Sequence, residues 1–321
     1  MRLPPQGYVL RSLIVDDLTP AQALLDECES ADTGEPCVHE LDIAVEVRSH
    51  WFDLEGGAWV VVGPDGQMAG VGWAHRPADD GVITSDHYVR PDVRNIGLDD
   101  VFLDLIENRA IGHACQSRDA GGVRLLSFCE PLVASRRKLL VVRGFSVVRE
   151  LYQMRLDLAE PLPMARYPAG VSVRSMRLGQ DDRALHAASE EAFGEHFLYQ
   201  PTPFEEWCVR TVKRDAIDPE LWLVAWDGDE AAGQVWVLPR GGEVHVEDLS
   251  VRRPWRGRGL GLALLLDVFG LLAARGYAFV RLFVDAQNAS GALGLYLKAG
   301  MRVERRFEVF EKAVEALEAR H

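Results

Sequence analysis

Residues 249–261 read Leu-Ser-Val-Arg-Arg-Pro-Trp-Arg-Gly-Arg-Gly-Leu-Gly, an apolar strand end that runs through an arginine–glycine turn straight into a helix. Those residue types at that spacing suit the holding of a diphosphate. Gly257, Gly259 and Gly261 leave no side chain between an anion and the main-chain amides, and Arg256 and Arg258 add full charge. The helix opening near Leu260 points its positive end at the same place. A dinucleotide fingerprint starting at Gly257 would need glycine at position 262, which is Leu262, and no Gly-Lys-Ser/Thr follows to make a nucleotide P-loop.

Behind the turn, Glu243–Val251 reads as a strand. Regular alternation predicts His245, Glu247, Leu249 and Val251 on one face and Val246, Asp248 and Ser250 on the other. His245 and Glu247, both titratable, would stand about 7 Å apart along it. Downstream, Asn288 precedes a short helix in which Tyr296 sits among Leu293, Leu295 and Leu297. That setting suits core packing of the ring and leaves the hydroxyl as a polar handle.

The elements that position these residues follow from periodicity and turn signals. Val171–Met176 is a predicted strand, Asp181–Phe193 and Phe204–Lys213 are predicted helices, and Leu221–Trp226 and Ala231–Leu238 flank a hairpin turn at Asp227-Gly228. After Glu243–Val251 come an apolar helix to Arg275 stopped by Gly276, a buried strand Tyr277–Asp285, a helix Ser290–Lys298 stopped by Gly300, and a strand from Arg302 to Phe310. The order β-α-α-β-β-β-α-β-α-β is an α/β layer fold with a mixed sheet.

The first half of the chain echoes the second. Leu10-Arg11-Ser12-Leu13 answers Val173-Arg174-Ser175-Met176, and Trp59-Val60-Val61 answers Trp222-Leu223-Val224, both at an offset of 163. Asp65-Gly66 answers Asp227-Gly228, and Val89, Arg94 and Gly97 answer Val251, Arg256 and Gly259, at 162. Gly144-Phe145 answers Gly300-Met301 at 156. An offset this constant means two copies of one fold. The expected division is an N-terminal domain over residues 1–158, a proline-rich linker over 159–170 and a C-terminal domain over 171–321.

Composition bounds the function. The chain has 321 residues, 48% of them hydrophobic, enough for two cored domains, and no apolar run approaches the roughly 20 residues of a membrane span. A net charge of −14 argues against a general nucleic-acid partner and favours cationic small molecules. The five cysteines, Cys28, Cys37, Cys115, Cys129 and Cys208, form no C-x-x-C pair, so neither a zinc site nor a disulfide framework is expected. With no secretory signal at the start, a cytoplasmic location fits.

Arg256-x-x-Gly259-x-Gly261 behind a strand ending in Val251, followed by Asn288 and Tyr296-Leu297-Lys298-Ala299-Gly300-Met301, resembles the two motifs of the GNAT superfamily of N-acetyltransferases. The resemblance covers most of residues 171–313 and, in degraded form, most of 8–158. A tandem pair of this length is similar to mycothiol synthase and its actinobacterial relatives, in which one copy is competent, and Glu191–Phe197 resembles their acceptor-side loop. The fold implied is two tandem GNAT domains, each a mixed, mostly antiparallel sheet flanked by helices.

The resemblance implies acetyl-CoA as co-substrate, no metal, and direct transfer to a primary amine of a small molecule. Val251 would pair with the pantetheine arm, the Leu249 amide would polarise the thioester carbonyl, and Ser250, Arg256, Gly257, Arg258, Gly259, Leu260, Gly261 and Asn288 would complete the cofactor site. Glu247 or His245 would be the base and Tyr296 the acid that protonates the departing thiolate. Such a base has a task, since an alkylamine with pKa near 10 is only about 0.1% neutral at pH 7. The first copy departs from the pattern. Its turn Arg94-Asn95-Ile96-Gly97-Leu98-Asp99 ends in a carboxylate with Asp100 beside it, and Leu140 falls at the tyrosine position, which implies weak or no CoA affinity. Mycothiol synthesis, on a cysteinyl-aminoglycoside precursor, and a non-catalytic acyl-CoA-binding regulator are the alternative readings. No membrane partner is expected, and the expected state is a monomer or a homodimer.

Overall fold

The computed structural model describes residues 1–34, 43, 47, 52–76, 81–116, 122–159, 162–194, 196–197, 199–214, 217–240, 243–288 and 290–315. The chain forms two compact units, Met1–Arg149 with Phe307–His321, and Glu150–Arg306.

In the first unit the elements are β1 (Val9–Ser12), α1 (Leu18–Thr33), β2 (Ala58–Val62), β3 (Met68–Ala74), β4 (Val82–Val89), α2 (Leu98–Gln116), β5 (Val123–Cys129) and α3 (Ala134–Val142), and the start of β6 (Ser146–Asp157). The second unit takes the rest of β6, then β7 (Val171–Ser175), α4 (Asp182–Phe193), α5 (Phe204–Arg210), β8 (Trp222–Asp227), β9 (Glu230–Arg240) and β10 (Glu243–Val251). It continues with α6 (Leu260–Ala274), β11 (Phe279–Asp285), α7 (Ala292–Lys298) and the start of β12 (Arg302–Val314). The element order of the second copy is the one its periodicity predicts, with ends shifted by a few residues.

The unit bounds differ from those read off the repeat. Residues 308–314 of β12 pair antiparallel with β5, from Glu308↔Cys129 to Val314↔Val123, so the chain's last strand completes the first unit. In the second unit β11 pairs antiparallel with β6, from Phe279↔Asp157 to Asp285↔Leu151. The strand orders are β1-β2-β3-β4-β5-β12 and β6-β11-β10-β9-β8-β7. Each sheet thus closes with a strand drawn from beyond its own copy, a long-range pairing that local patterns do not encode.

The repeat extends to side chains. Arg11 donates from Nη1 and Nη2 to Asp17 at 2.5 and 2.7 Å, and Arg174 donates likewise to Asp181 at 2.6 and 2.9 Å, clamping each first strand to the turn before its first helix. Bidentate pairs of this kind fix geometry more than they add stability. In the second unit one face of the sheet packs on α6, whose Leu260, Leu264, Leu265, Val268, Phe269 and Leu272 are buried with Val235, Val237, Val244 and Val246. The other face packs on α4 and α5 through Leu185, Ala188, Trp207, Trp222, Trp236 and Leu238. Burying a large apolar side chain gives about 1.5–3 kcal/mol, so these two layers hold β10 between them. Gly276 and Gly300 adopt φ of 83° and 93°, the left-handed stops predicted for α6 and α7.

Candidate active site

Strand β10 is the centre of the site, and it is not regular. Its register against β9 runs Val246↔Val237 and then Asp248↔Trp236, so the strand bulges at Glu247. A bulge inserts one residue and inverts the parity beyond it. The expected face of His245, Glu247, Leu249 and Val251 is therefore broken. His245, Asp248 and Ser250 share the α4/α5 face, while Val244, Val246, Leu249 and Val251 look toward α6. Alternation from the sequence assumed an unbroken ladder.

On its other side β10 pairs with β11 in parallel only at His245↔Arg281. Beyond that point, among the described residues, β11 offers no strand pairing to the edge of β10 at Leu249 and Val251. A free strand edge is a template for an extended ligand. Gly233 explains how the opposite edge is kept tight: a Cβ there would stand 2.7 Å from the Ser250 carbonyl.

At the open end lies the turn into α6. Gly257 and Gly259 take φ of 73° and 83°, and an added Cβ at either would meet nothing within 4 Å, so both face open space. Ala263 N donates to Gly259 O at 3.0 Å, which places the amides of Leu260, Gly261 and Leu262 ahead of the helical ladder. Gly261 has a different reason: its Cβ would lie 3.3 Å from Leu295 Cδ2 and 3.5 Å from Val251 Cγ2, so glycine permits the close approach of α6 to β10 and α7. Arg258 is exposed at the turn. Arg256 serves the scaffold as well, donating from Nε to Val251 O at 2.9 Å and from Nη2 to Ala192 O at 3.1 Å.

Asn288 Oδ1 accepts from Ser290 N at 2.8 Å, shaping the turn before α7. Tyr296 is 9% exposed, and its hydroxyl makes no hydrogen bond among the described residues. Burial first, and then the charge of Asp248, hold its phenol well above the usual tyrosine range. Glu247 Oε2 lies 3.9 Å from Arg214 Nη1. His245 is 3% exposed, with Nε2 3.8 Å from Glu243 Oε2 and its ring stacked 6.5 Å from Phe283, at the closed end where β10 and β11 still pair.

Sequence reasoning did not single out Asp248 or its partners. Ser189 donates from Oγ to Asp248 Oδ2 at 2.6 Å; Gln234 Nε2 donates to the same oxygen and to Ser189 Oγ, both at 3.2 Å; Trp222 Nε1 donates to Gln234 Oε1 at 3.0 Å. A carboxylate in an apolar strand, facing tryptophan in both copies (Trp73↔Asp86 and Trp236↔Asp248), was the available signal.

Ser189 also lines a cavity of about 360 Å3 between α4, α5 and the segment joining them. Phe193, Phe197, Tyr199 and Trp207 supply aromatic walls, with Glu190, His196, Gln200 and Thr202 completing it. The joining segment is tied to α4: Tyr199 donates to Glu190 Oε2 at 2.5 Å, and His186 Nε2 contacts Thr202 O at 2.7 Å. Glu195, in the loop singled out from the sequence, lies outside the described residues.

The corresponding crevice of the first unit is closed. There β4 and β5 stay paired two residues further, to Ser85↔Ser127, and Ser85 Oγ donates to Leu126 O at 2.8 Å. Arg136 reaches in from α3, donates to the His87 carbonyl at 2.8 Å and pairs with Asp86. His87 stands where the second copy has Leu249, so the arginine occupies the strand edge that the second copy leaves open. Asp99, at the start of α2, lies 3.4 Å from His87 Nε2.

The profile of the acetyltransferase (GNAT) family matches residues 183–301. A mycothiol acetyltransferase of Streptomyces scabiei is 32% identical over 88% of this chain and 89% of its own length. A mycothiol acetyltransferase of Acidothermus cellulolyticus is 28% identical over 94% and 92%. Among solved structures, a GCN5-related N-acetyltransferase from Sphaerobacter thermophilus superposes with a TM-score of 0.78 at 30% identity, covering 98% of both chains. A tandem GNAT protein from the clavulanic acid biosynthesis pathway superposes at 0.71 with 17% identity, over 97% of this chain and all of the other.

Proposed function

This chain belongs to the GNAT family of N-acetyltransferases, and we propose that it transfers acetyl from acetyl-CoA to a primary amine of a small molecule, using the second unit alone. The observation that carries this reading is the divergence of β10 from β11 beyond His245, which opens beside the glycine turn and the first amides of α6. Pantetheine would lie along the free edge at Leu249 and Val251, and the diphosphate would sit on the amides of residues 257–262. The Leu249 amide would meet the thioester oxygen, where one fixed donor contributes about 3 kcal/mol to the transition state. Tyr296, kept protonated, would give its proton to the departing thiolate. The aromatic cavity beside Ser189 would take the acceptor; its size lies at the small end of ligand pockets.

A cysteinyl-aminoglycoside acceptor, as in mycothiol synthesis, is favoured as the first substrate to test by the names of the relatives that span most of the chain. The test is incubation of the full chain with acetyl-CoA and a panel of D-glucosamine, spermidine, L-lysine and a cysteinyl-glucosaminyl conjugate. Free CoA and acetylated product are resolved by mass. Turnover of at least one amine is expected; acetyl-CoA binding without any product would leave a non-catalytic binder. Titration calorimetry on the same chain is expected to give one acetyl-CoA per molecule, because Arg136 and Asp99 stand in the first unit's crevice. Two equal sites would contradict this. The full chain is required, since residues cut at 158 would lose the strand from β12 that completes the first unit.

A further inference from the structure

We propose that Asp248, acting through the Ser189 hydroxyl, receives the proton of the incoming amine. This deepens the acetyltransferase reading and rests on it. Three independent features of the geometry carry it.

The first is position. Asp248 directly precedes Leu249 on β10 and follows the bulge, which turns its side chain to the α4/α5 face, the face of the aromatic cavity. Ser189 belongs to both places: it lines the cavity and donates to Asp248 Oδ2 at 2.6 Å. Gln234, itself held by Trp222, donates to both groups and fixes their relative placement.

The second is an unmet demand. Asp248 is 8% exposed, yet its Oδ1, like Ser250 Oγ, makes no hydrogen bond among the described residues. Buried carboxylate oxygens are rarely left so, because desolvation without a partner is costly.

The third is the contrast between copies. Asp86 occupies the same place in the first unit and is ion-paired with Arg136. Asp248 has no ion pair among the described residues, whereas its neighbour Glu247 stands near Arg214. The copy with the open crevice is the one whose carboxylate is left without a cation.

In the step, an ammonium N–H bond breaks and its proton joins Ser189 Oγ as the serine's own proton passes to Asp248 Oδ2. The freed lone pair forms the C–N bond at the thioester carbon, whose C=O π pair moves to oxygen. The carbonyl then re-forms, the C–S bond breaks, and a second proton from the amine nitrogen reaches sulfur by way of Tyr296. Asp248 returns its proton to water as product leaves, which balances the release of one proton per turnover.

Burial, chiefly, pushes the Asp248 carboxyl up to about 6, against the hydrogen bonds from Ser189 and Gln234 and the nearness of the Ser250 hydroxyl. The groups that meet it from α4 and β9, Ser189 and Gln234, carry no charge. Its charge is felt at Tyr296 of α7, and along its own strand Ser250, Glu247 and His245 are the neighbouring polar groups. A base of this kind is protonated, and idle, below its pKa. The rate constant kcat/KM should therefore fall as pH drops below about 6.

The experiment compares the full chain with Asp248→Asn and Ser189→Ala, using the panel amine that turns over fastest. Kinetics are read from pH 5 to 9, alongside calorimetric affinity for acetyl-CoA. Asp248→Asn is expected to lower kcat about 100-fold at pH 7, near the foot of the range for general-base help, and to remove the acidic inflection near pH 6. Ser189→Ala should remove the same inflection, and acetyl-CoA affinity should stay within twofold in both. Should Asp248→Asn fail to fold, Ser189→Ala decides. Variants that fold, keep kcat within threefold and retain the wild-type profile overturn the proposal and return the role to Glu247 or His245. A wild-type chain that binds acetyl-CoA and acetylates nothing would sink the acetyltransferase reading and this proposal together, a result distinct from active wild type with indifferent variants.

Discussion

Gly261→Asp is expected to weaken acetyl-CoA binding about a thousandfold while leaving the protein folded. The substitution writes the first copy's Asp99 into the second copy's turn. Near a protein surface, with an effective dielectric constant of about 20, two unit charges about 4 Å apart repel by about 4 kcal/mol, a factor of about 10³. The fold should survive for two reasons. A carboxylate in the first turn of a helix is favourable, and the closest neighbour of the new Cβ is a leucine methyl, Leu295 Cδ2 at 3.3 Å, which can shift. Titration calorimetry at 0.1 M salt measures the loss, and circular dichroism with a thermal melt verifies the fold. A dissociation constant within fivefold of wild type would place the diphosphate away from this helix.

Tyr296→Phe should lower kcat by about a few hundred-fold without changing the acetyl-CoA dissociation constant. The ring packs among buried side chains of the second unit, and phenylalanine keeps that packing. What is lost is a hydroxyl that burial and the nearby Asp248 keep protonated through neutral pH. General-acid help is worth about 10²–10⁴, and a thiol with pKa near 8.5 is already a fair leaving group, which puts the effect in the lower part of that range. Single-turnover rates measured by rapid quench separate this loss from product release. A variant within threefold of wild type would mean that water protonates the thiolate.

The glycine turn proposed to hold the cofactor was legible in the sequence because it is local. Glycines 257 and 259, the strand before them and the helix after them are contiguous, and the left-handed conformation of both glycines follows from residue type. The repeat was legible because its offset is nearly constant. The proposed acceptor side was not, for reasons that can be named. The bulge at Glu247 depends on how β10 registers against β9, and a single bulge reversed the assignment of faces for every residue after it. Asp248 meets Ser189 and Gln234 across 59 and 14 residues, so no window on the sequence joins them. Arg136 lies in Ala134-Ser135-Arg136-Arg137-Lys138, a run that reads as solvated surface, yet its guanidinium is buried against Asp86 and the His87 carbonyl. The strand that completes each unit comes from another part of the chain, which moved the unit bounds to 149 and 307. Among the described residues no helix is long and apolar enough to cross a membrane, in line with the composition.

A crystal structure of the full chain with CoA measures directly where the acyl carrier binds. The diphosphate should lie within hydrogen-bond distance of the amides of residues 257–262, with pantetheine running along β10 at Leu249 and Val251 and its sulfur between Tyr296 and the Ser189 side of the strand. Density for CoA in the first unit, or a second-unit crevice closed between β10 and β11 with the ligand elsewhere, would contradict it.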